Sequence, residues 1–266
     1  IMKNLEIYCV TDRRLTLLEN TKYKLCSVGQ NFAHENYIKS STANNIFFKE
    51  KYYSELTFHY WYWKNMLNID NQNWIGFSQK RRHWLKLKSK NNVIDKKNLI
   101  DHLLFEPDPS WEKFDSIICE PIKVSGAKKI KILKRGWKNI IRDPLILLDE
   151  KKQTVKLHFD MHHGYGILDK AIDELNGLDR EKFRNFVNSS NQYNPHIMFI
   201  SKSKIINEWF LNLFEWLDKC EKVFGFNNLE GYDLQRLYAY LAERYLSYWF
   251  KNNTKFLEWP WTFVEV

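Results

Sequence analysis

The segment that most constrains the fold spans residues 52–84, where an aromatic-rich helix, an apolar strand and a basic cluster follow one another. Seven of the twelve residues from Tyr52 to Trp63 are aromatic. Ser54 is predicted to cap a helix over residues 52–67. Helical spacing predicts that one face of this helix is buried, and that face consists of Leu56, Tyr60, Trp63 and Leu67.

A basic cluster follows the strand predicted over residues 73–77. Lys80, Arg81 and Arg82 come shortly after this strand, at its carboxyl end. Open α/β sheets bind ligands at the carboxyl ends of their strands, and arginines bind phosphate through bidentate hydrogen bonds. The segment therefore predicts a site for an anionic ligand, and a diphosphate is a good candidate.

Strands and helices alternate along the rest of the chain. Strands are predicted at 5–10, 24–28, 114–119 and 197–200, and helices at 165–175, 180–187, 205–223 and 232–250. This alternation predicts an α/β sheet flanked by helices. The lysine-rich segment 123–157 has no clear periodicity and is predicted to be a lid or a surface excursion.

The composition favours an ordered protein in the cytoplasm. A hydrophobic content of 44% excludes intrinsic disorder. No apolar run approaches the roughly 18 residues needed to cross a bilayer, and no signal peptide is expected because Met2-Lys3-Asn4 leads directly into a strand. The four cysteines form no Cys-x-x-Cys pair, which predicts reduced thiols and a cytoplasmic location.

The formal net charge of +9 predicts an anionic partner. No nucleic-acid-binding motif accompanies the charge, so nucleic acid is not expected as a partner. Phosphorylated ligands and an anionic membrane surface both suit it. The lysines of residues 123–138 and a late aromatic cluster predict peripheral contact with the inner face of the cytoplasmic membrane. The cluster consists of Trp249, Phe250, Trp259 and Trp261.

Short motifs throughout the chain carry a family resemblance. The central motifs are Ser54-Glu55-Leu56-Thr57, Trp63-Lys64-Asn65, Ile75-Gly76 and Arg81-Arg82. Others lie at residues 7–11, 26–29, 44–46, 196–200 and 240–246. In this order they resemble a bacterial family of capsular-polysaccharide and lipopolysaccharide glycosyltransferases, long catalogued as a domain of unknown function. The chain departs from the family at Gln79 and Lys80, where the family has a histidine and a tyrosine.

The resemblance implies a GT-A-like fold, a Rossmann-type nucleotide-binding sheet flanked by helices, in a single domain (residues 2–266) with C-terminal helices. The nucleotide-sugar-binding part would span 2–122, the variable basic excursion 123–157, and the acceptor side 158–266. The enzyme would be a hexosyl-, furanosyl- or heptosyltransferase. It would move a sugar from a UDP- or GDP-linked nucleotide sugar to a hydroxyl of a growing capsular or lipopolysaccharide glycan, presented by a lipid-linked or oligosaccharide acceptor.

Candidate donor-binding residues lie near the predicted strand ends and the start of the aromatic helix. Many GT-A enzymes hold Mn²⁺ or Mg²⁺ on an Asp-x-Asp after the fourth strand, where this chain has Lys80-Arg81-Arg82. Fixed cations can neutralise a departing diphosphate, so no cofactor is expected, with Mn²⁺ or Mg²⁺ as the alternative. The donor candidates are Thr11, Asp12, Arg13, Asn45, Glu55, Lys80, Arg81 and Arg82.

A second cluster, His158-Phe159-Asp160-Met161-His162-His163, supplies further candidates. In a strand, His158, Asp160 and His162 would share one face, a set that could bind Fe(II) or Zn²⁺. The resemblance points instead to Phe159 and His163, with His162 as the alternative register. The catalytic candidates are Glu243, Asp160 and His163, and the acceptor-binding candidates are His162, Tyr62 and His196.

Glu243 and Arg244 lie in the middle of an apolar helix, where charges are costly to bury unless they are paired. Two interpretations stay open. Glu243 could deprotonate the acceptor hydroxyl, or it could form an internal ion pair with Arg244.

Two other functions also stay open. A catalytically inactive polysaccharide-binding or assembly protein would keep the same fold, and the altered turn at Gln79 and Lys80 is compatible with it. A metal-dependent enzyme that uses His158, Asp160 and His162 is the more distant alternative.

Overall fold

The computed structural model of the chain describes residues 4–29 and 33–266. Its strands are β1 (Leu5–Thr11), β2 (Lys24–Ser27), β3 (Ile38–Lys39), β4 (Trp74–Gln79), β5 (Arg82–Trp84), β6 (Ser116–Cys119), β7 (Ile122–Lys123), β8 (Gln192–Tyr193), β9 (Phe199–Lys202), β10 (Phe256–Trp259) and β11 (Trp261–Phe263). Its helices are α1 (Glu50–Tyr53), α2 (Leu56–Asn65), α3 (Leu99–His102), α4 (Lys129–Arg135), α5 (Trp137–Arg142), α6 (Val155–His163), α7 (Ile167–Asp173), α8 (Gly177–Ser189), α9 (Ser203–Phe224), α10 (Tyr232–Gln235) and α11 (Leu237–Asn253). The predicted α/β class is confirmed.

Two compact units make up the chain. The sheet unit consists of the residues up to Glu120, His196–Asn212 and Trp249–Val266. The helical unit consists of Pro121–Pro195 and Leu213–Tyr248. The division of the chain by function, at residues 122 and 157, remains a prediction.

The sheet unit is built on one mixed sheet with the strand order β10-β6-β9-β4-β1-β2-β3; β5 also pairs with β4, and β11 pairs with β5. β1 runs parallel to both β2 and β4, whereas β9 runs antiparallel to β4 and β6. The chain passes from β1 to β2 and β3 on one side of β1, and then through α2 to β4 on the other side. The carboxyl ends of β1 and β4 therefore lie at a topological switch point, the place where α/β sheets bind ligands.

Apolar side chains cover both faces of this sheet, because successive residues of a strand point to opposite faces. Ile7 and Cys9 of β1 belong to a core that includes several buried tryptophans. Tyr8, between them, faces α2 and packs on Tyr62 with ring centroids 4.8 Å apart. Aromatic pairs of this kind contribute about 0.5–1.5 kcal/mol beyond the area they bury, and they seat α2 firmly on the sheet.

The helix predicted over residues 52–67 is two helices, and the predicted buried face is wrong. Ser54 separates α1 from α2 with φ at +50°, and its side chain caps neither helix. The residues that α2 buries are Leu56, Thr57, Phe58, His59 and Tyr62, whereas Tyr60 and Trp63 are partly exposed. Aromatic residues surround this helix on every side, so their spacing alone could not select the buried face.

The strand considered for residues 158–163 is also wrong, because these residues belong to α6. Thr154 begins this helix, and its side chain accepts a hydrogen bond from the Leu157 N–H. A helical backbone turns by about 100° per residue, so residues two apart point in opposite directions.

The late aromatic cluster does not form a membrane-facing surface. Trp249, Phe250 and Trp259 are buried in the sheet unit, which corrects the prediction that they contact lipid. Within the described ranges no helix is both long and apolar enough to cross a bilayer. The four cysteines are buried free thiols, as predicted.

Candidate functional site

The carboxyl ends of β1 and β4 bring several predicted donor residues together. The hydroxyl of Thr11 donates to the Arg13 carbonyl at 2.7 Å and accepts from the Arg13 N–H at 3.1 Å, which shapes the turn after β1. The backbone N–H of Lys80 donates to the Val10 carbonyl at 3.1 Å. The Nζ atom of Lys80 lies 2.5 and 2.7 Å from the two carboxylate oxygens of Asp12. A salt bridge therefore spans the switch point.

Glycine is required beside this salt bridge. Gly29, which follows β2, has φ at +91°, a left-handed conformation that favours glycine. A Cβ atom at this position would lie 3.4 Å from the Cβ atom of Asp12. The segment after β2 can therefore approach the end of β1 closely.

Two predicted arginines share one aromatic partner. The guanidinium carbons of Arg81 and Arg82 lie 5.8 and 5.6 Å from the ring centroid of Phe263. Arg82 also donates to Gln79 at 3.0 Å, and the Gln79 amide donates to the carboxylate of Glu55. The Nε atoms of both arginines are buried and have no hydrogen-bond partner among residues 4–29 and 33–266. A guanidinium has five N–H donors. Arg81 and Arg82 therefore retain N–H groups that can bind an anion at the carboxyl end of β4.

The remaining predicted residues of the sheet unit lie in different surroundings. Arg13 pairs with Glu265 at 2.8 Å. Asn45 accepts from the Phe47 N–H and donates to the Ala43 carbonyl, so it shapes the loop before α1. The ring of His196 lies edge-on to Trp261, with ring centroids 4.5 Å apart. Tyr62 is only 3% exposed, so its predicted sugar contact is wrong: the ring is part of the core.

The helical unit contains a cavity of about 230 Å³ beside α6, which we call the histidine pocket. His158 and His162 line it together, because positions i and i+4 share one face of a helix. Lys123 and Lys131 line it from β7 and α4. The other lining residues are Val124, Ser125, Gly126, Ala127, Ile132, Gln153, Thr154, Leu157 and Met161, with no carboxylate among the described lining residues. The pocket is therefore basic and polar.

A buried arginine sets the protonation of His158. Arg244, which is 2% exposed, lies 2.9 Å from Glu243 and places its Nη2 atom 3.2 Å from Nδ1 of His158. Arginine only donates hydrogen bonds, so Nδ1 accepts and the proton of the neutral ring lies on Nε2. Burial and then the charge of Arg244 lower the pKa of His158 to about 2. His158 is therefore a neutral hydrogen-bond donor.

His162 has the complementary arrangement. Its Nδ1 atom lies 2.8 Å from the carbonyl oxygen of His158, which can only accept. Nδ1 of His162 therefore carries the proton, and burial lowers its pKa. The Nε2 atom of the neutral ring is left as an acceptor. An N–H donor on one ring and a lone pair on the next match a hydroxyl group, which both donates and accepts.

The predicted catalytic residues of α6 are engaged elsewhere. Asp160 pairs with Lys156 at 2.6 Å and accepts from the Gly166 N–H at 3.2 Å, and burial raises its pKa. His163 stacks on Tyr240 with centroids 3.8 Å apart, and burial lowers its pKa to about 3. Asp160 does not share a face with His158 and His162, so the three-ligand metal interpretation is wrong. The described ranges contain no cluster of three or more His, Cys, Asp or Glu suited to a metal ion.

Glu243 forms an ion pair rather than standing alone. Its carboxylate accepts from Arg244, and the hydroxyl of Tyr193 lies 3.4 Å away. This geometry supports the internal ion pair, and the catalytic role of Glu243 remains a prediction.

Sequence reasoning missed several residues of the histidine pocket. Lys131 and Gln153 line the pocket but lie in the segment 123–157, which was predicted as an excursion. A usable signal was present, since residues 121–142 contain no acidic residue.

Comparison with known families gives a nearly full-length match. A profile of the family described as "Domain of unknown function (DUF4422)" matches residues 6–254. The chain belongs to the DUF4422 family. The matched range of this DUF4422 chain contains every predicted donor, catalytic and acceptor residue.

A solved structure has a similar fold. The apo structure of the WbbM bifunctional glycosyltransferase matches 99% of the DUF4422 chain with a TM-score of 0.63 and 21% identity. The match covers 46% of WbbM, so the chain spans less than half the length of that protein. No curated protein matches the chain. The two proteins thus share a fold over the whole of this chain.

Proposed function

We propose that this DUF4422 chain is a glycosyltransferase that moves a sugar from a nucleotide sugar to a hydroxyl of a bacterial surface glycan. The observation that carries the proposal is the cation cluster at the β1–β4 switch point, formed by Lys80, Arg81 and Arg82. Nucleoside diphosphates carry their charge on the diphosphate, the part that such a strand-end site binds. The shared fold with a glycosyltransferase supports the same assignment.

Lys80 can exchange its partner when the donor binds. The side chains of Lys80 and Asp12 are 25% and 40% exposed, and such partly exposed ion pairs contribute only about 0–1 kcal/mol. A diphosphate offers two charged groups in place of one carboxylate. Lys80 would turn to the diphosphate, and Asp12 would become free to accept hydrogen bonds from ribose or base.

The transfer step follows from this placement. The bond between the anomeric carbon and the diphosphate oxygen breaks, and the nucleoside diphosphate leaves with the electron pair. The acceptor oxygen forms the new glycosidic bond and releases its proton. Arg81 and Arg82 would stabilise the charge that develops on the leaving group, so we propose that no metal is needed, with Mn²⁺ or Mg²⁺ as the alternative.

We assign the acceptor to the histidine pocket. His158 donates through Nε2, His162 accepts through Nε2, and neither ring needs a proton from solvent to do so. A sugar hydroxyl satisfies both atoms. The acceptor we propose is a growing capsular or lipopolysaccharide glycan, lipid-linked or free, and a cytoplasmic location suits a UDP- or GDP-linked donor.

The test is turnover with a panel of UDP- and GDP-linked sugars. Released nucleoside diphosphate is measured for the unaltered chain, for Lys80→Ala, and for Lys96→Ala, which removes an exposed lysine of the sheet unit. Slow donor hydrolysis that Lys80→Ala abolishes and Lys96→Ala retains would support the proposal. Donor binding without any turnover would favour the inactive polysaccharide-binding alternative.

A further inference from the structure

One short segment of the helical unit carries nearly all of the excess charge. Residues 121–142 contain eight Lys or Arg and no Asp or Glu, in a chain whose formal net charge is +9. Six of these cations, Lys128, Lys129, Lys131, Lys134, Lys138 and Arg142, form no salt bridge within the part of the chain that the structure describes. Arg135 is paired only at 3.6 Å, with Asp233. The charge is therefore available to a partner.

The same segment exposes an apolar stripe. Large apolar side chains recur every three or four residues and are at least half exposed, namely Ile130, Leu133, Trp137, Ile141, Leu145 and Leu148. Ile141 is 74% exposed and Leu148 is 77% exposed. Hydrogen bonds from Gly136 N–H to the Ile132 carbonyl and from Ile140 N–H to the Gly136 carbonyl carry the helical spacing from α4 into α5.

A second apolar set anchors the segment, so the exposed stripe is not its core. Ile132 and Ile146 are buried against Leu157 and Met161 of α6. The segment thus has one apolar set packed inside the helical unit and another that is exposed. We call the outward side, residues 128–148, the basic apolar surface.

We propose that the basic apolar surface docks the protein on an anionic lipid bilayer. Interfacial helical segments combine exposed Leu, Ile and Trp with flanking Lys and Arg in this way. Each basic residue near an anionic leaflet contributes about 1 kcal/mol, and the apolar stripe enters the acyl boundary. Nucleic acid would use the cations but would leave the six apolar side chains in water. The inference goes beyond the proposed function and needs neither donor nor acceptor.

The experiment is flotation of the full chain with phosphatidylcholine vesicles, with and without phosphatidylglycerol, at low and high salt. One test variant is Lys129→Gln/Lys134→Gln, with Lys96→Gln/Lys97→Gln as the charge-matched control. The other is Ile141→Gln, with Leu178→Gln as its control, because Leu178 is a similarly exposed apolar residue on α8. Thermal melts check that all four variants fold, as surface changes stay within about 0.5 kcal/mol.

We expect binding only to the anionic vesicles, and weaker binding at high salt. Lys129→Gln/Lys134→Gln should lower the partition coefficient roughly 30-fold. This follows because each lysine contributes about 1 kcal/mol of binding free energy and 1.4 kcal/mol corresponds to a factor of ten. Ile141→Gln should lower it by about tenfold, and both controls should bind as the unaltered chain does. Equal binding to neutral vesicles would overturn the proposal. So would binding of an RNA or DNA duplex in place of vesicles, or a dimer that Ile141→Gln dissociates while vesicles stay unbound.

Discussion

The Nη2 atom of Arg244 lies 3.2 Å from Nδ1 of His158, so a permanently charged residue of α11 sets the tautomer of a pocket residue on α6. This contact links the Glu243–Arg244 ion pair to the histidine pocket. It also explains how an imidazole with no carboxylate beside it can be held in one orientation. The structural role of the ion pair and the binding role of the pocket are therefore coupled within the helical unit.

Removing the cation of that pair should strongly destabilise the protein. Arg244→Met leaves the carboxylate of Glu243 without its charged partner in a largely buried place, and breaking a buried pair on one side costs about 3–5 kcal/mol. Urea denaturation measures the loss. The double variant Glu243→Gln/Arg244→Met should recover much of it, because replacing both partners is often nearly neutral. Equal losses in both variants would show that packing, rather than charge, is the cause.

The stability of the protein should fall as the solution becomes acidic. Burial lowers the pKa of His59 and His163 to about 3 and that of His158 to about 2, from 6.5. Below pH 6.5 the unfolded chain therefore binds more protons than the folded chain, so the free energy of unfolding rises with pH in this window. Each histidine contributes at most about 1.4 kcal/mol per pH unit.

Denaturation between pH 4 and pH 7.5 checks this dependence. His59→Leu should lower the slope of the free energy of unfolding against pH by the equivalent of about one bound proton. The reason is that His59 is enclosed by Phe77, Phe199 and Phe210 and cannot be solvated in the folded state. A free energy of unfolding that stays constant from pH 7 to pH 5 would show that the rings are protonated without unfolding.

Asp12 should compete with phosphate for Lys80. With inorganic pyrophosphate as the probe, Asp12→Asn should bind more tightly than the unaltered chain, because Lys80 loses its carboxylate partner. Lys80→Ala should bind about 10- to 100-fold more weakly, since hydrogen bonds to charged groups contribute about 1.5–3 kcal/mol. Titration calorimetry measures both. Weaker binding by both variants would mean that Asp12 positions Lys80 instead of competing for it.

Arg81 should matter for turnover and little for folding. Its guanidinium packs on Phe263, which is 53% exposed, so Arg81→Ala should change the free energy of unfolding by no more than about 0.5 kcal/mol. Loss of a donor that stabilises the leaving diphosphate should cost about 2.7–4 kcal/mol at the transition state, a hundredfold or more in kcat. Arg81→Lys should recover part of this, because lysine lacks the bidentate fork. Full activity of Arg81→Ala would show that the basic turn after β4 does not stabilise the diphosphate.

Donor turnover should persist in EDTA. The cations at the β1–β4 switch point stand where an Asp-x-Asp was expected, and they supply positive charge without a metal. The rate of nucleoside diphosphate release is compared before and after chelation and again with added Mn²⁺. Loss of activity in EDTA that Mn²⁺ restores would contradict the metal-free proposal.

Much of the fold could be predicted because its signals are local. β1 and β4 are short apolar runs, and α9 and α11 have apolar residues at helical spacing, so each element is specified by its own residues. The same holds for the basic turn after β4, since three adjacent cations remain adjacent in any fold. The positions of strand ends relative to one another followed from the general rule for α/β sheets.

The rest depended on which elements pack together. Residues 158–163 alternate in polarity as a strand would, but packing of Leu157 and Met161 on Ile132 and Ile146 favours a helix there. The burial of Tyr62 was decided by Tyr8, which is distant in sequence.

The sequence by itself determined the α/β class, the cation cluster after β4 and the charge of residues 121–142. Only the tertiary structure decided that Lys80 meets Asp12, that Arg244 sets the tautomer of His158, and that one apolar stripe beside those cations stays exposed. The physical reason is that propensity and charge are properties of neighbouring residues, whereas burial, pairing and pKa depend on contacts between residues far apart in the chain.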